Sequence, residues 1–205
     1  MDELKVIEIL EEKIGFSKSS IQKLKEFKTC LLKYNKRYNL ISKNTENSIW
    51  FRHILDSAQI INFLKDENVN EIADLGSGAG FPGLVIAIFS ENAEFHVKLY
   101  EKSPVKRNFL DEVKNKLSLK NLSIHKNVYD EEIIADFVVC RAFKKIGEIL
   151  KISRENIKKP HKMVILKGKN AQLEINKVSL GKNYSYKMEN SITNDDSKII
   201  LVEVK

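Results

Sequence analysis

Four closely spaced glycines in the segment ADLGSGAGFPG are typical of a loop that holds a nucleotide-like cofactor. Glycine lets the backbone approach a ligand closely and adopt positive φ angles, both of which a Cβ atom would oppose. Two cofactor patterns fit the same letters. Gly78, Gly80 and Gly83 form G-x-G-x-x-G, the dinucleotide fingerprint. Asp74, Gly76, Gly78 and Gly80 form D-x-G-x-G-x-G, which suits S-adenosylmethionine.

The strand before this loop favours the second pattern. The apolar run EIADL (71–75) predicts a short buried strand. A dinucleotide loop has its first glycine directly after the strand; Gly76 has that place, whereas the triplet that begins at Gly78 starts late. We therefore expect Gly83 to serve close packing at the start of the following helix. A glycine turn that binds no ligand stays open as an alternative.

Two charged residues at later strand ends are predicted to face the same ligand. Glu101 ends the second predicted strand, where a carboxylate accepts hydrogen bonds from the ribose hydroxyls of a cofactor. Arg141 ends the fourth predicted strand on the same side of the sheet. An ion pair between Arg141 and a strand-end carboxylate such as Asp136 is the alternative for this arginine.

The elements that must position these residues follow from alternating apolar runs and helical patterns after residue 72. Predicted strands cover 71–75, 95–101, 122–126, 136–143 and 162–168, predicted helices begin at Pro82 and cover 105–119, and a closing hairpin turns at 194–196. This alternation predicts an α/β fold over residues 65–205, with a mainly parallel, doubly wound sheet of seven strands that ends in an antiparallel pair.

Residues 1–64 are predicted to form a helical extension that packs on the sheet domain. The first helix has an apolar stripe at Leu4, Ile7, Leu10 and Ile14, and the second has one at Ile21, Leu24, Phe27, Leu31 and Tyr34. Residues 17–20 supply a cap between the two helices. A third helix is predicted from about Thr45 to Leu64.

The composition indicates a globular protein with an affinity for polyanions. Of 205 residues, 42% are hydrophobic and 31% are charged, and residues 142–205 carry an excess of seven positive charges, equal to the net charge of the whole chain. A basic surface attracts nucleic acid, although lysine-rich surfaces are also common without such a partner. Cys30 and Cys140 fit neither a metal site nor a disulfide framework. No apolar stretch is long enough to cross a bilayer, so we expect a cytoplasmic protein without a membrane partner.

Six short motifs, taken in order, resemble those of the bacterial 16S rRNA guanine-N7 methyltransferases, also called the glucose-inhibited division protein B family. They are YNLIS (38–42), RHILDS (52–57), DLGSGAGFPG (74–83), EKSPVKRNFL (101–110), CRAF (140–143) and LKG (166–168). The resemblance implies a class I, Rossmann-like methyltransferase fold with S-adenosylmethionine as cofactor. It also implies methylation of one guanosine in the 530 loop of 16S rRNA. We expect a monomer that acts on the 30S subunit or its precursor.

The family's cofactor contacts fall on Gly76, Phe81, Arg141 and the pair Val128-Tyr129 of this chain. Where the family often has a carboxylate as the second member of that pair, this chain has a tyrosine followed by Asp130, which is an alternative contact. The complete predicted cofactor set comprises Asp74, Gly76, Ser77, Gly78, Gly80, Phe81, Glu101, Val128, Tyr129 and Arg141.

Methylation at guanine N7 requires little chemical assistance from protein side chains. N7 carries a free lone pair, so no proton must be removed, and the rate should come from orientation; we predict no catalytic residue. Methylation of an exocyclic amine usually requires Asp/Asn-Pro-Pro-Tyr/Phe after the fourth strand, where this chain has CRAFKK. Methylation of cytosine C5 requires a cysteine nucleophile, and we expect Cys140 to be a buried structural thiol instead.

Basic residues at successive strand ends are predicted to grip the RNA phosphates. They are Lys102, Lys106, Arg107, Arg141, Lys144, Lys145, Lys167 and Lys169, with Arg52 and His53 as further candidates. The pair His53 and Asp56 has a structural alternative, in which it buttresses the contact between extension and sheet. Trp50 and Phe51 are expected to pack in the helical core, with stacking on a flipped base as the alternative. A nicotinamide-dependent oxidoreductase and an rRNA-binding assembly factor without catalysis stay as alternative functions.

Overall fold

A computed structural model describes residues 1–65, 67–90 and 95–205 of the chain, and its centre is a seven-stranded sheet. The strands are β1 Glu71–Leu75, β2 His96–Tyr100, β3 Leu122–His125, β4 Phe137–Arg141, β5 His161–Lys167, β6 Tyr184–Ser191 and β7 Asn194–Val204. Their spatial order is β3-β2-β1-β4-β5-β7-β6. The first five are parallel, whereas β7 is antiparallel to both β5 and β6. The predicted fold class is confirmed.

Helices cover both faces of this sheet. The α-helices are α1 Glu3–Ile9, α2 Lys18–Tyr38, α3 Asp56–Ala58, α4 Gly83–Phe89, α5 Pro104–Lys116, α6 Ile146–Asn156 and α7 Ala171–Ile175. Apolar side chains of the N-terminal helices, α4 and α5 form one core, and those of α6 and α7 form another with the opposite face of the sheet. Burial on both faces explains why the central strands β4 and β5 contain continuous apolar runs, FVVC and MVIL. No helix of the described residues is long and apolar enough to span a membrane.

The predicted apolar stripe of the first helix is confirmed at Leu10 and Ile14, which are buried, and at Ile7, which is partly buried against the same core. Leu4 is wrong: its side chain is 80% exposed, and Val6 is buried instead. Beyond α1 the helix continues as a π-helix over Leu10–Ile14. The second stripe is confirmed, and the Ser17 side chain caps α2 by accepting a hydrogen bond from the Ser20 N–H at 3.0 Å.

The single helix predicted from Thr45 to Leu64 is instead a series of short helical segments. A 3-10 helix (Lys43–Ser48), a π-helix (Trp50–Leu55), α3 and a second 3-10 helix (Gln59–Phe63) follow one another. Tertiary contacts compete for the backbone in this region. The carbonyl of Arg52, for example, accepts a hydrogen bond from the Arg141 guanidinium at 2.9 Å.

The hairpin turn lies two residues earlier than predicted, because the N-terminal helices hold it. Strand β6 ends at Ser191 and β7 begins at Asn194. The turn residue Ile192 donates its N–H to Gln59 Oε1 at 3.0 Å. Thr193 Oγ1 donates to Asp56 Oδ1 at 2.7 Å. These contacts join segments that are more than 130 residues apart in the sequence, and no local pattern shows them.

Candidate active site

The glycine loop joins β1 to α4 at the centre of the sheet, between β2 and β4. Three of its glycines have positive φ angles, Gly76 at 73°, Gly78 at 58° and Gly80 at 94°. A Cβ atom on Gly76 would lie 2.1 Å from the Phe143 ring, and one on Gly80 would lie 2.3 Å from Leu84. Both the backbone conformation and the packing therefore require glycine at these two positions.

Gly83 has the packing role expected of it at the start of α4. A Cβ atom there would lie 2.3 Å from Leu99 and 2.7 Å from Asp74 Oδ2. The Gly83 N–H donates to Asp74 Oδ2 at 2.9 Å, so the buried aspartate joins the end of β1 to the helix. The apparent G-x-G-x-x-G match therefore ends in a glycine that packs against β2.

A cavity of about 600 Å³, the loop cavity, opens at the carboxyl ends of β1, β2, β3 and β4. This is where α/β sheets bind ligands, and the volume lies within the range of small-molecule sites. Eight residues of the predicted cofactor set line the loop cavity: Gly76, Ser77, Gly78, Phe81, Glu101, Val128, Tyr129 and Arg141. Asp74 and Gly80 do not line the cavity, but they support the conformation of the loop.

Glu101 presents a buried carboxylate to this cavity and is only 6% exposed. Its Oε2 accepts the Gly78 N–H at 2.9 Å, and its Oε1 accepts the Ser103 N–H at 2.8 Å. Each carboxylate oxygen has a further lone pair, so two hydroxyl donors of a ligand can still be accepted. Glu101 thereby fits the ribose of an adenosyl cofactor, although this role stays a prediction.

The residues after β3 form the opposite wall of the loop cavity. Val128 is buried and its carbonyl accepts a hydrogen bond from Asn156 Nδ2 at 3.0 Å, which fixes the backbone here. Tyr129 is 49% exposed at the rim. Asp130, the alternative contact, is exposed and does not line the cavity.

Arg141 joins the end of β4 to the N-terminal helices. Its guanidinium forms an ion pair with Asp56 at 3.1 Å, and it lies 5.2 Å from the centroid of the Phe81 ring. The alternative partner considered from the sequence, Asp136, is wrong: Asp136 pairs with Lys159 at the other end of the sheet. The structural role foreseen for Asp56 is therefore present, with Arg141 as the connecting residue.

His53 is enclosed between Arg141 and the cavity wall. Its Nδ1 accepts a hydrogen bond from Arg141 Nη2, so its Nε2 carries the proton and donates to Thr45 Oγ1 at 2.9 Å. The ring stacks on Phe81 with centroids 5.0 Å apart. Burial, together with the charges of Arg141 and Arg52, lowers the pKa of His53 to about 3. The imidazole is therefore neutral, and neither of its nitrogens is free to accept a proton.

Comparison with known proteins identifies the family. The GidB family model, described as rRNA small subunit methyltransferase G, matches residues 20–198. The chain belongs to the GidB family. The ribosomal RNA small subunit methyltransferase G of Orientia tsutsugamushi (strain Ikeda) is 33% identical over 199 residues, covering 97% of this chain and 98% of the relative. The relative of that name from Rickettsia felis is 36% identical over 183 residues, covering 89% and 92%.

Solved structures share the fold of this GidB-family chain. A putative O-methyltransferase from Klebsiella pneumoniae has a TM-score of 0.63 at 8% identity, covering 98% of this chain and 96% of the other. A SAM-dependent methyltransferase from Aquifex aeolicus has a TM-score of 0.58 at 14% identity, covering 87% and 98%. These identities show the fold alone. Family membership confirms a methyltransferase of small-subunit rRNA and supports S-adenosylmethionine over a nicotinamide as the cofactor.

The predicted RNA contacts of the GidB-family chain divide into free and engaged cations. Lys102 and Lys106 line the loop cavity and form no ion pair with another described residue. Lys144 also lines it but pairs with Glu148 at 3.0 Å. Arg107 is directed away, because its guanidinium donates to the carbonyls of Glu101 and Lys102. Lys145 and Lys169 are exposed outside the cavity.

A second, smaller cavity of about 240 Å³ adjoins the loop cavity and contains the remaining predicted RNA contacts, Arg52, His53 and Lys167. We call it the hairpin cavity, since Thr193, Asn194, Ser197 and Lys198 of the β6–β7 hairpin form one wall. Lys167 is held in an ion pair with Glu174 at 2.8 Å.

Trp50 and Cys140 both have the structural roles that were expected of them. Trp50 is 4% exposed and packs in the core of the N-terminal helices, which leaves no face for a flipped base. Cys140 is 1% exposed, and burial raises the pKa of its thiol far above the usual range. The cysteine is therefore unsuited to nucleophilic attack.

Sequence reasoning assigned no role to several residues that line the loop cavity. They are Leu40, Ile41, Ala79, Tyr100, Lys126, Asn127, Ala142 and Phe143. Leu40 and Ile41 belong to the YNLIS motif, and Phe143 belongs to CRAF. The order of these motifs was a signal that they take part in one site, but it did not show which side chains face the ligand.

The titration of Asp74 predicts a pH effect on stability. Burial raises the pKa of its carboxyl to about 7, although the Gly83 N–H opposes the shift. An unfolded aspartate titrates near pH 4, so the stability contributed by the protonated carboxyl is present below that pH and is lost as the pH rises to about 7. The free energy of unfolding of Asp74→Asn, taken relative to that of wild type, should therefore rise by about 2–3 kcal/mol as the pH is raised from 5 to 8.

Urea unfolding at several pH values in that range measures this difference. Asparagine does not titrate, so all other groups, including His53, contribute equally to both proteins. If the free energies of unfolding of wild type and Asp74→Asn changed with pH in the same way, the raised pKa of Asp74 would be contradicted.

Proposed function

We propose that this GidB-family chain methylates N7 of one guanosine in the 530 loop of 16S rRNA. The observation that carries the proposal is the chemistry of the loop cavity: the predicted cofactor residues line it, and none of the described residues there is available as a base. S-adenosylmethionine, when bound, supplies a methyl group on a positively charged sulfur. The lone pair of a guanine N7 can take this methyl group and displace the sulfur without loss of a proton. The chain's own residues then have only to bind and orient the reactants.

The lining of the loop cavity supports this choice over other methylation sites. Among the described residues that line it, Glu101 is the only carboxylate, and its oxygens hold the backbone of the loop. His53 is neutral, with both ring nitrogens in hydrogen bonds. Removal of a proton from an exocyclic amine, or attack by a thiolate, would require groups that these residues do not provide.

Each predicted cofactor contact that lines the loop cavity has a proposed task. Gly76, Ser77 and Gly78 let the backbone approach the ligand, and Glu101 accepts hydrogen bonds from the ribose. Val128 and Tyr129 border the adenine, while Phe81 and Arg141 form the wall toward the acceptor base. Lys102 and Lys106, which line the cavity and form no ion pair with another described residue, would contact RNA phosphates. We further propose that the enzyme is a cytoplasmic monomer acting on the 30S subunit or its precursor.

The test is methyl transfer to 30S subunits that lack the modification, with naked 16S rRNA in parallel. Borohydride reduction followed by aniline cleaves RNA at 7-methylguanosine, so the expected result is a single new cleavage in the 530 loop. Calorimetry should show binding of S-adenosylmethionine and not of NADH. Binding of 30S subunits without transfer would favour the assembly factor, and methylation at another atom would overturn the N7 proposal.

A further inference from the structure

The hairpin cavity is the neighbour of the loop cavity and shares three of its residues, His53, Arg141 and Ala142. Ligands in the two cavities would therefore meet at this common wall. Reacting atoms must come within about 3–3.5 Å for transfer, so a methyl acceptor has to bind in a space that adjoins the donor. The cavities described at the amino ends of the strands share no lining residue with the loop cavity.

Buried hydrogen bonds hold the hairpin wall in place. Asp56 Oδ1 accepts from Thr193 Oγ1 at 2.7 Å, while Asp56 Oδ2 accepts from Arg141. Gln59 donates to Ser191 Oγ at 3.0 Å and accepts from the Ile192 N–H at 3.0 Å. One carboxylate thus connects the hairpin to the arginine that both cavities share. This arrangement gives the cavity a preformed shape.

The hairpin wall also presents polar groups that have no hydrogen-bond partner among the described residues. The Ser197 hydroxyl and the Asn194 side-chain N–H groups form no hydrogen bond with another described residue, although Asn194 Oδ1 accepts from the Asp196 N–H. The guanidinium of Arg52 at the rim is likewise unpaired among the described residues. A guanine base has both donors and acceptors on its exposed edge, and enzymes read an extruded base through such contacts.

We propose that the hairpin cavity receives the guanine that accepts the methyl group, with Asn194 and Ser197 contacting its polar edge and Arg52 its phosphate. The proposal rests on the N7 methyltransferase function and adds the acceptor site to it. The cavity volume of about 240 Å³ suits a base and part of its ribose but not a second adenosyl cofactor.

The first test fills the hairpin cavity while leaving the loop cavity open. Ser197→Phe should keep the wild-type affinity for S-adenosylmethionine within about twofold and should lower methyl transfer by about 100-fold. Asp196→Phe is the matched control, because Asp196 is in the same segment but exposed and outside the lining; it should retain wild-type transfer. Wild-type transfer by Ser197→Phe, or loss of cofactor binding, would overturn the acceptor site.

A second measurement does not depend on activity or on the folding of Ser197→Phe. Titration with 7-methylguanosine 5′-monophosphate, in the presence of S-adenosylhomocysteine, should shift the Asn194 side-chain amide resonances in the nitrogen–proton correlation spectrum. Unmoved Asn194 resonances during saturable binding elsewhere would overturn the acceptor site alone. A wild-type enzyme that transfers no methyl group to N7 would overturn the proposed function itself, which separates the two failures.

Discussion

Replacement of Glu101 by alanine is expected to weaken S-adenosylmethionine binding about 10- to 100-fold, as hydrogen bonds to a charged group contribute about 1.5–3 kcal/mol. The carboxylate is buried at the end of β2 and holds the Gly78 and Ser103 N–H groups. Its loss removes both the acceptor for the ribose hydroxyls and the support of the loop. Isothermal titration calorimetry measures the change directly.

A matched control for this variant is Glu132→Ala, which removes an exposed carboxylate outside the loop cavity. That change should leave the affinity unaltered, so it separates the local role of Glu101 from a general effect of charge. An unchanged affinity in a folded Glu101→Ala protein would remove Glu101 from the cofactor site.

Replacement of Asp56 by alanine is expected to lower the free energy of unfolding by about 3–5 kcal/mol, the range for removing one partner of a buried ion pair. The Asp56 and Arg141 side chains are only 15% and 17% exposed, and Asp56 also accepts hydrogen bonds from Thr193 and Gln59. The variant leaves Arg141 as an uncompensated cation and releases the hairpin turn. Urea unfolding of wild type and variant at one pH measures the difference.

The double-mutant cycle with Arg141→Leu tests the cause of this loss. When the guanidinium is absent, the same Asp56→Ala change should cost clearly less, because no buried cation is left unpaired. An equal loss in both backgrounds would show that the hydrogen bonds to the hairpin, rather than the ion pair, carry the effect.

The features that sequence reasoning placed correctly in the fold are those defined by local order along the chain. The strand EIADL, the glycines after it and the carboxylate of Glu101 follow one another as in any strand–turn–helix unit of a parallel sheet, so their places follow from periodicity and spacing. The same reasoning placed Leu4 in the core and left out Val6, whereas Leu4 is 80% exposed and Val6 is buried. Both residues are apolar, so residue type alone does not show which of the two faces the core.

The sequence by itself determined the fold class, the glycine loop and the family, because these depend on patterns within short segments and on their order. Only the tertiary structure decided the partner of Arg141, which is Asp56 at a separation of 85 residues and not the nearby Asp136. It alone brought the hairpin turn onto Asp56 and Gln59 and so formed a second cavity beside the first. Such contacts arise from the packing of distant segments on a shared core, and this packing produces no periodic pattern in the sequence.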